Sequence, residues 1–419
     1  MVSLLKQKWI KKIAKLLFFY FSIKIVIAFI GYFFTFNFMS IPSIEMQAGE
    51  DLSLNDLHYK IDRKINRSKL SKEIILINTG SLSVDNFRGE LAELLLQIDS
   101  FNPKVIGVDH DFDDDTTRFG TEELLNSIEF IPNIVLARNG RDTSKKMSLS
   151  KDKLADVSFP EYFNSVRRYY SNESTFASKI ASIFKPGLKS DLVIDSFIIN
   201  YVGHDFFEVK RSNFREFLFT NDYSNQFPMI QSSDILSSSN YEKKIIKKLL
   251  NGKIILLGHL GNTCLTDFRN DSEDKFAVPC DSNMLFRSKT MNGLLIHANA
   301  IENLINPECR FNVLSDQLWF LFLEELLILL YLYFLLFAKA GKLINILLML
   351  GLSLPVLYLT LYFMQNNIYI EMGTTLLQLL LFEELVEIIE PLYFKIKSFL
   401  SLNKEETSVV AANKIENPE

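Results

Sequence analysis

The chain has 419 residues, 48% of them hydrophobic and 23% charged, with 36 phenylalanines and a formal net charge of −5. That length allows more than one domain, and an apolar excess beside near-average charge indicates a soluble domain joined to membrane segments. With a mildly acidic balance, no broad basic face recommends nucleic acid as a partner, and none is expected. The 3 cysteines, Cys264, Cys280 and Cys309, exclude a fully paired framework within one chain. No Cys-x-x-Cys or His/Cys cluster has zinc spacing. Cys264 and Cys280 could bridge outside the cytoplasm; three small buried residues is the plainer reading.

In chain order, residues 1–15 carry Lys6, Lys8, Lys11, Lys12 and Lys15 and no acid. The run 16–36, "LLFFYFSIKIVIAFIGYFFTF", is long enough to cross a bilayer core. It is too long for a signal-peptide core, and no Ala-x-Ala-like site follows. Positive charge stays inside, so 1–15 is expected in the cytoplasm.

From 38 to 316 the pattern changes. Short apolar, β-branched runs, "EIILINTG" (73–80), "KVIGVD" (104–109), "NIVLAR" (133–138), "DLVIDSFIINYVG" (191–203) and "KIILLG" (253–258), predict strands buried on both faces. Helical spacing alternates with them over 86–101, where Leu91, Leu94, Leu95 and Ile98 share a face. Further helices are expected near 121–128, 173–184 and 241–250. Strand–helix alternation predicts an α/β domain with a largely parallel sheet. The polar stretches 140–158 and 269–290 are expected to be surface excursions.

Three places in this domain are candidate sites. In "VIGVDHDFDDDT", Asp109, Asp111 and Asp113 would share one side of a continuing strand, after a strand end where open α/β sheets take ligands. A divalent cation such as calcium or magnesium would suit those oxygens. An EF-hand is excluded, since its sixth position, Asp114, is not Gly and its twelfth, Gly120, is not Glu. A solvated acidic loop is the plainer reading. In "GKIILLGHLGNTCLTD", Gly258 and Gly261 could let backbone N–H groups approach an anion, although a tight turn is the simpler role. Asp267 after this turn caps or binds. In "NGLLIHANAIENLI" (292–305), a fully helical stretch puts Leu294, Ala298, Ile301 and Ile305 on one stripe. His297 then sits at the stripe's edge and Asn299 lies with Asn303 on the polar side, about 160° from His297. If the helix begins near His297, both could meet the "GHLG" turn or the Asp109 cluster. His297 is expected to brace the junction between the last strand and the helix leading to the membrane, with a ligand role for His297 and Asn299 as the alternative. Five histidines occur and no Gly-x-Ser-x-Gly elbow, so no catalytic triad is expected.

Three further apolar segments, 318–338, 343–364 and 368–389, follow. Lys339 and Lys342 lie between the first two, Lys395 and Lys397 after the last, and no basic residue in "QNNIYIE". All four segments then agree on one topology, with both termini inside and 38–316 outside. Lys24, Glu324, Glu325, Gln378, Glu383 and Glu384 fall within these helices. Intramembrane charges usually pair, so Lys24 is expected to pair with Glu383 or Glu384. Snorkelling is the alternative, and a proton path a third.

The pieces "IILINTGSLS", "VIGVDHDF", "IINYVG", "IQSSDIL", "NGKIILLG" and "MNGLLIHANAIENLI", in that order, with one membrane helix before and three after, resemble the type-two CHASE domain family. This family is an extracytoplasmic sensory module associated with bacterial cyclases and histidine kinases. The resemblance covers roughly 16–389. Two departures stand out. Family members often carry an acid and a Trp-Pro-Trp-Pro-Arg-like run near the first strand; here Asn78-Thr79 follows it, and only "NFRGE" with Arg88 remains. Members also commonly end in an effector domain, whereas 390–419 is a short polar tail expected in the cytoplasm. The resemblance implies a standalone sensory or ligand-binding protein of the bacterial cytoplasmic membrane, not an enzyme, passing a signal through its helices to a separate partner. Its partners would be the bilayer and a cytoplasmic or membrane protein, with a homo-oligomer left open. No cofactor is implied beyond the divalent cation considered at Asp109. The alternatives are a structural subunit of a membrane complex and a metal-dependent enzyme.

Overall fold

The computed structural model describes residues 2–38, 70, 72–110, 112, 118–138, 149–159, 166, 168–190, 196–203, 205–219, 226–261, 275–276, 278, 291–314, 317–338, 341–370 and 373–416. The chain divides into two units, Asn55–Asn312, and Met1–Leu54 together with Val313–Glu419.

In the first unit β1 (Ile74–Asn78), β2 (Val105–Val108), β3 (Ile134–Arg138), β4 (Leu154–Asp156), β7 (Asp205–Glu208), β8 (Gln226–Gln231) and β9 (Ile254–Gly258) form one sheet, with β1, β2, β3 and β9 drawn from the β-branched runs. Its order is β4-β3-β2-β9-β1-β8-β7, and every neighbouring pair is parallel. β5 (Arg168–Tyr170) and β6 (Ser196–Ile198) form a separate antiparallel pair. β1 and β9 are buried at every residue, which is why they read as unbroken apolar runs. Alternate residues split between two cores. Ile75, Ile77, Ile106, Val108, Ile255 and Leu257 pack with α2 (Phe87–Asp99), α3 (Thr121–Phe130) and α5 (Asn240–Leu250). The opposite face meets α4 (Phe176–Phe184) and α6 (Gly293–Ile305). Both come close because the sheet is small there. A Cβ on Gly107 would lie 2.6 Å from Ile180, and one on Gly258 would lie 3.0 Å from Leu294.

Two sequence expectations change, and one strand arises where none was expected. Of the run 191–203, the described residues 196–203 do not join the seven-stranded sheet; Ser196–Ile198 pairs outside it with β5. The excursion 140–158 contains β4, an edge strand. "QFPMIQ" becomes a buried inner strand, β8, despite Pro228, whose missing N–H is an ordinary mark against an inner strand.

In the second unit, α1 (Val2–Phe38), α7 (Leu318–Phe337), α8 (Lys342–Gln365) and α9 (Gly373–Glu416) pack together. Phe19, Ile23, Ile328, Tyr331, Leu332, Leu379 and Phe382 are buried among them. α7 and α8 are long and apolar enough to cross a membrane by length and composition. The expected segment 368–389 starts as a short strand at Ile368–Tyr369, and its helix begins at Gly373. Lys24 pairs with Glu325 on α7, at 2.7 Å, and not with Glu383 or Glu384. The Tyr20 hydroxyl donates to the other Glu325 oxygen at 2.6 Å. Glu383 accepts from Asn345 at 3.2 Å, Glu324 accepts from Thr375, and Glu384 is exposed. One sequence cannot say which of three apolar helices faces Lys24; α1 touches both α7 and α9, and only the rotation of α1 decides.

Candidate functional site

A parallel sheet brings the carboxyl ends of its strands to one edge, and loops that leave in opposite directions open a crevice there. After β1 the chain builds β2, β3 and β4 on one side, returns on the other through β7 and β8, then inserts β9 between β1 and β2. The ends of β1, β2, β8 and β9 therefore lie together, and each carries polar residues.

Asn78 is the hub. Its Oδ1 accepts from the backbone N–H of Gly80 and of Leu260, both at 3.0 Å. Its Nδ2 donates to the Gly261 carbonyl at 2.8 Å and to Gln231 Oε1 at 3.1 Å. One carboxamide thus ties the ends of β1, β8 and β9 with its full hydrogen-bonding capacity. The two loops touch closely, since a Cβ on Gly80 would lie 3.0 Å from the Gly261 carbonyl. Gly261 itself has φ +92°, a conformation that glycine adopts without strain. Beside this hub, Ser81 and Ser232 join β1 to β8 through their hydroxyls at 2.7 Å. Gln231 is 6% exposed, and among the described residues its Nε2 has no partner.

Thr79 Oγ1 meets His110 Nε2 at 2.8 Å and so ties β1 to β2. Burial, with the nearby His259 adding to it, pushes the His110 pKa down to about 4, so the ring is neutral near pH 7. Phe87 stands edge-on to it at 5.1 Å. His110 also lines a cavity of about 380 Å³ with Phe87, Arg88, Phe112 and Arg118, of a size that suits a small ligand. Arg88, 4% exposed, donates to Thr121 Oγ1 at 2.7 Å and joins the first turns of α2 and α3.

The sequence candidates separate. Asp109 sits at this edge, half-buried, its N–H bonded to the Leu257 carbonyl at 2.8 Å. Asp111, Asp113, Asp267, Cys264 and Cys280 lie outside the described residues. Among the described residues no three His, Cys, Asp or Glu side chains gather as metal ligands. His297 and Asn299 belong to the interior. α6 is helical throughout, and every one of its residues is buried, which corrects the expectation of a polar side. His297 packs among Phe159, Tyr169 and Phe176, with ring centroids at 4.6, 5.8 and 5.0 Å. Burial lowers its pKa to about 3. The Tyr169 hydroxyl accepts from the Ala177 N–H at 2.9 Å, leaving its proton for His297 Nδ1 at 3.3 Å. His297 therefore braces β5 and α4, not the junction before the membrane. Asn299 exchanges two bonds of 2.8 Å with the backbone of Gly203, and Asn303 does the same with Asn200 at 2.7 and 2.9 Å. The two amides replace the strand that segment lacks. Cys309 is buried and unpaired, and burial with the nearby Glu302 pushes its thiol up to about 12.

Sequence reasoning missed the hub. Asn78 followed a strong apolar run and read as its end. Its partners, Gln231, Leu260 and Gly261, are far away in sequence, and no local pattern announces them.

Comparison with protein families matches the CHASE2 domain over residues 30–338. Comparison with curated proteins and with solved structures finds no match. CHASE2 is an extracytoplasmic sensory domain family, and with most of its length matched the chain belongs to that family.

Proposed function

We propose that the protein is a membrane-anchored extracytoplasmic sensor. Segments 16–36, 318–338, 343–364 and 368–389 cross the bacterial cytoplasmic membrane, both termini are cytoplasmic, and the domain 38–316 is outside. A small ligand enters the cavity beside His110, and the change passes through the helices to a separate cytoplasmic or membrane protein. The observation that supports this best is the continuity of the strand-end network. His110 lines the cavity and bonds Thr79, and the neighbouring Asn78 ties β8 and β9. A ligand that moves His110 therefore acts on four strand ends together, which is the differential contact a two-state response needs.

Two measurements test it. Alkaline phosphatase fusions should be active when joined within 38–316 and inactive after residue 15 or residue 400; the reverse pattern removes the topology. Purification of the full chain in mild detergent, with mass spectrometry of what elutes, should release a small molecule from the wild type and less from His110→Leu. An equal yield from both places the ligand elsewhere.

A further inference from the structure

We infer that the Trp9 end of the helical bundle is a binding surface for anionic phospholipid headgroups. This rests on the membrane reading above and adds to it a lipid specificity confined to one end.

The register comes from contacts. Lys15 of α1 bonds Glu390 of α9 at 3.2 Å and stands over Tyr393 and Phe394 at 5.6 and 5.7 Å. Lys12 stands 5.2 Å from the Phe337 ring, at the last residue of α7. α1 thus leaves the bundle where α7 ends, and α9 continues past the same level. Beyond the Lys15–Glu390 pair, Lys8, Lys11 and Lys12 on α1 and Lys395 and Lys397 on α9 are exposed. Lys8 and Lys397 lie about 10 Å beyond that pair along their helices, at 1.5 Å per residue, so all five fall in one slab of headgroup thickness. No acid lies between residues 7 and 14 or between 391 and 399. Of the acids closer in, Glu390 meets Lys15, Glu387 meets Lys342 at 3.6 Å and Glu383 meets Asn345, and the exposed Glu384 lies about 9 Å further into the bundle than Glu390, at 1.5 Å per residue. Trp9, 56% exposed, lies beside Lys12 at 5.8 Å, and such a ring next to lysines suits the interface.

The opposite end differs. Around the exposed Trp319, residues 317–323 and 362–370 hold no Lys or Arg. Exposed lysines without neighbouring acids attract lipid phosphates, while amides and apolar side chains give no such preference. The occupant that complements this surface is therefore a lipid with a net negative headgroup.

The chain has 2 tryptophans, one at each end of the bundle, so each end can be read separately. The full-length protein is reconstituted into bilayers of phosphatidylcholine with a fraction of brominated phosphatidylglycerol or brominated phosphatidylcholine. Trp319→Phe isolates Trp9, and Trp9→Phe isolates Trp319. Quenching of Trp9 should favour phosphatidylglycerol by about fivefold or more, the factor expected of one lysine beside an anionic headgroup. Trp319 should show no preference. Lys8→Gln, Lys11→Gln and Lys12→Gln together should bring Trp9 to the Trp319 ratio, and the same three changes to Arg should keep it. Quenching of Trp319 in the Gln variant reports that it still inserts. Equal quenching of wild-type Trp9 by the two lipids overturns the inference and leaves the membrane reading standing. Failure of either lipid to quench either tryptophan overturns both.

Discussion

Replacing Asn78 with Asp removes donors from the hub and leaves its shape unchanged. The two bonds that Oδ1 accepts, from Gly80 and Leu260, survive. The two that Nδ2 donates, to Gly261 O at 2.8 Å and Gln231 Oε1 at 3.1 Å, become contacts between oxygens. Gln231 can relieve one of them by turning its carboxamide, because its Nε2 has no partner among the described residues in the present orientation. The Gly261 contact has no such escape. A lost bond costs about 1 kcal/mol and a buried unpaired carboxylate several, so Asn78→Asp should lower stability by about 2–4 kcal/mol at pH 7. The sign with pH follows from the new group. An oxygen facing oxygens is protonated more readily in the folded state, so its folded pKa lies above the unfolded value of about 3.9. The folded state then holds more protons, and the penalty grows as pH rises through the folded pKa and levels off above it. Urea denaturation of the full chain in mild detergent measures this, followed by far-ultraviolet circular dichroism because both tryptophans lie in the helical bundle. A variant as stable as the wild type at pH 7, or equally destabilised at pH 4 and pH 8, refutes the hub.

Four further outcomes follow from the same reasoning. His110 has its pKa lowered to about 4 by burial, below an unfolded value of about 6.5, so its stability contribution is complete above pH 6.5 and is lost as pH falls toward 4. The loss is about 3 kcal/mol, and His110→Asn should remove that part of the acid destabilisation in pH-dependent urea titrations, leaving the part due to the buried His297. Asn299→Ala leaves the Gly203 N–H and carbonyl unpaired in the core, which should lower the urea midpoint by the equivalent of about 2–4 kcal/mol. Gly107→Ala drives a methyl to within 2.6 Å of Ile180 and should destabilise by about 1–3 kcal/mol through overpacking, read as a melting shift. Lys24→Glu should lower the melting temperature in detergent, and Glu325→Lys should restore it; rescue by Glu383→Lys or Glu384→Lys in its place would refute the observed pairing.

Much of the fold was legible because it is local. β1, β2, β3 and β9 announce themselves as apolar β-branched runs, and α2 through the spacing of Leu91, Leu94, Leu95 and Ile98. Segment 196–203 deceived because apolar burial is common to sheet and to chain packed elsewhere; Asn299 and Asn303 hold its Gly203 and Asn200 outside the sheet. The site was half legible. Asp109 sits at a strand end, as strand-end reasoning expects, while His110, Asn78, Gln231 and Thr79 gained their roles only from neighbours.

From the sequence by itself came the α/β class, the apolar helices, the lysine-rich end and the family, since each rests on composition, period or order along the chain. Tertiary structure decided the partners. His297 turned toward Tyr169, Lys24 toward Glu325, and Asn78 toward three strand ends at once. The physical reason is that a buried polar group must find its partner in space, and the nearest in space is often hundreds of residues away in the chain.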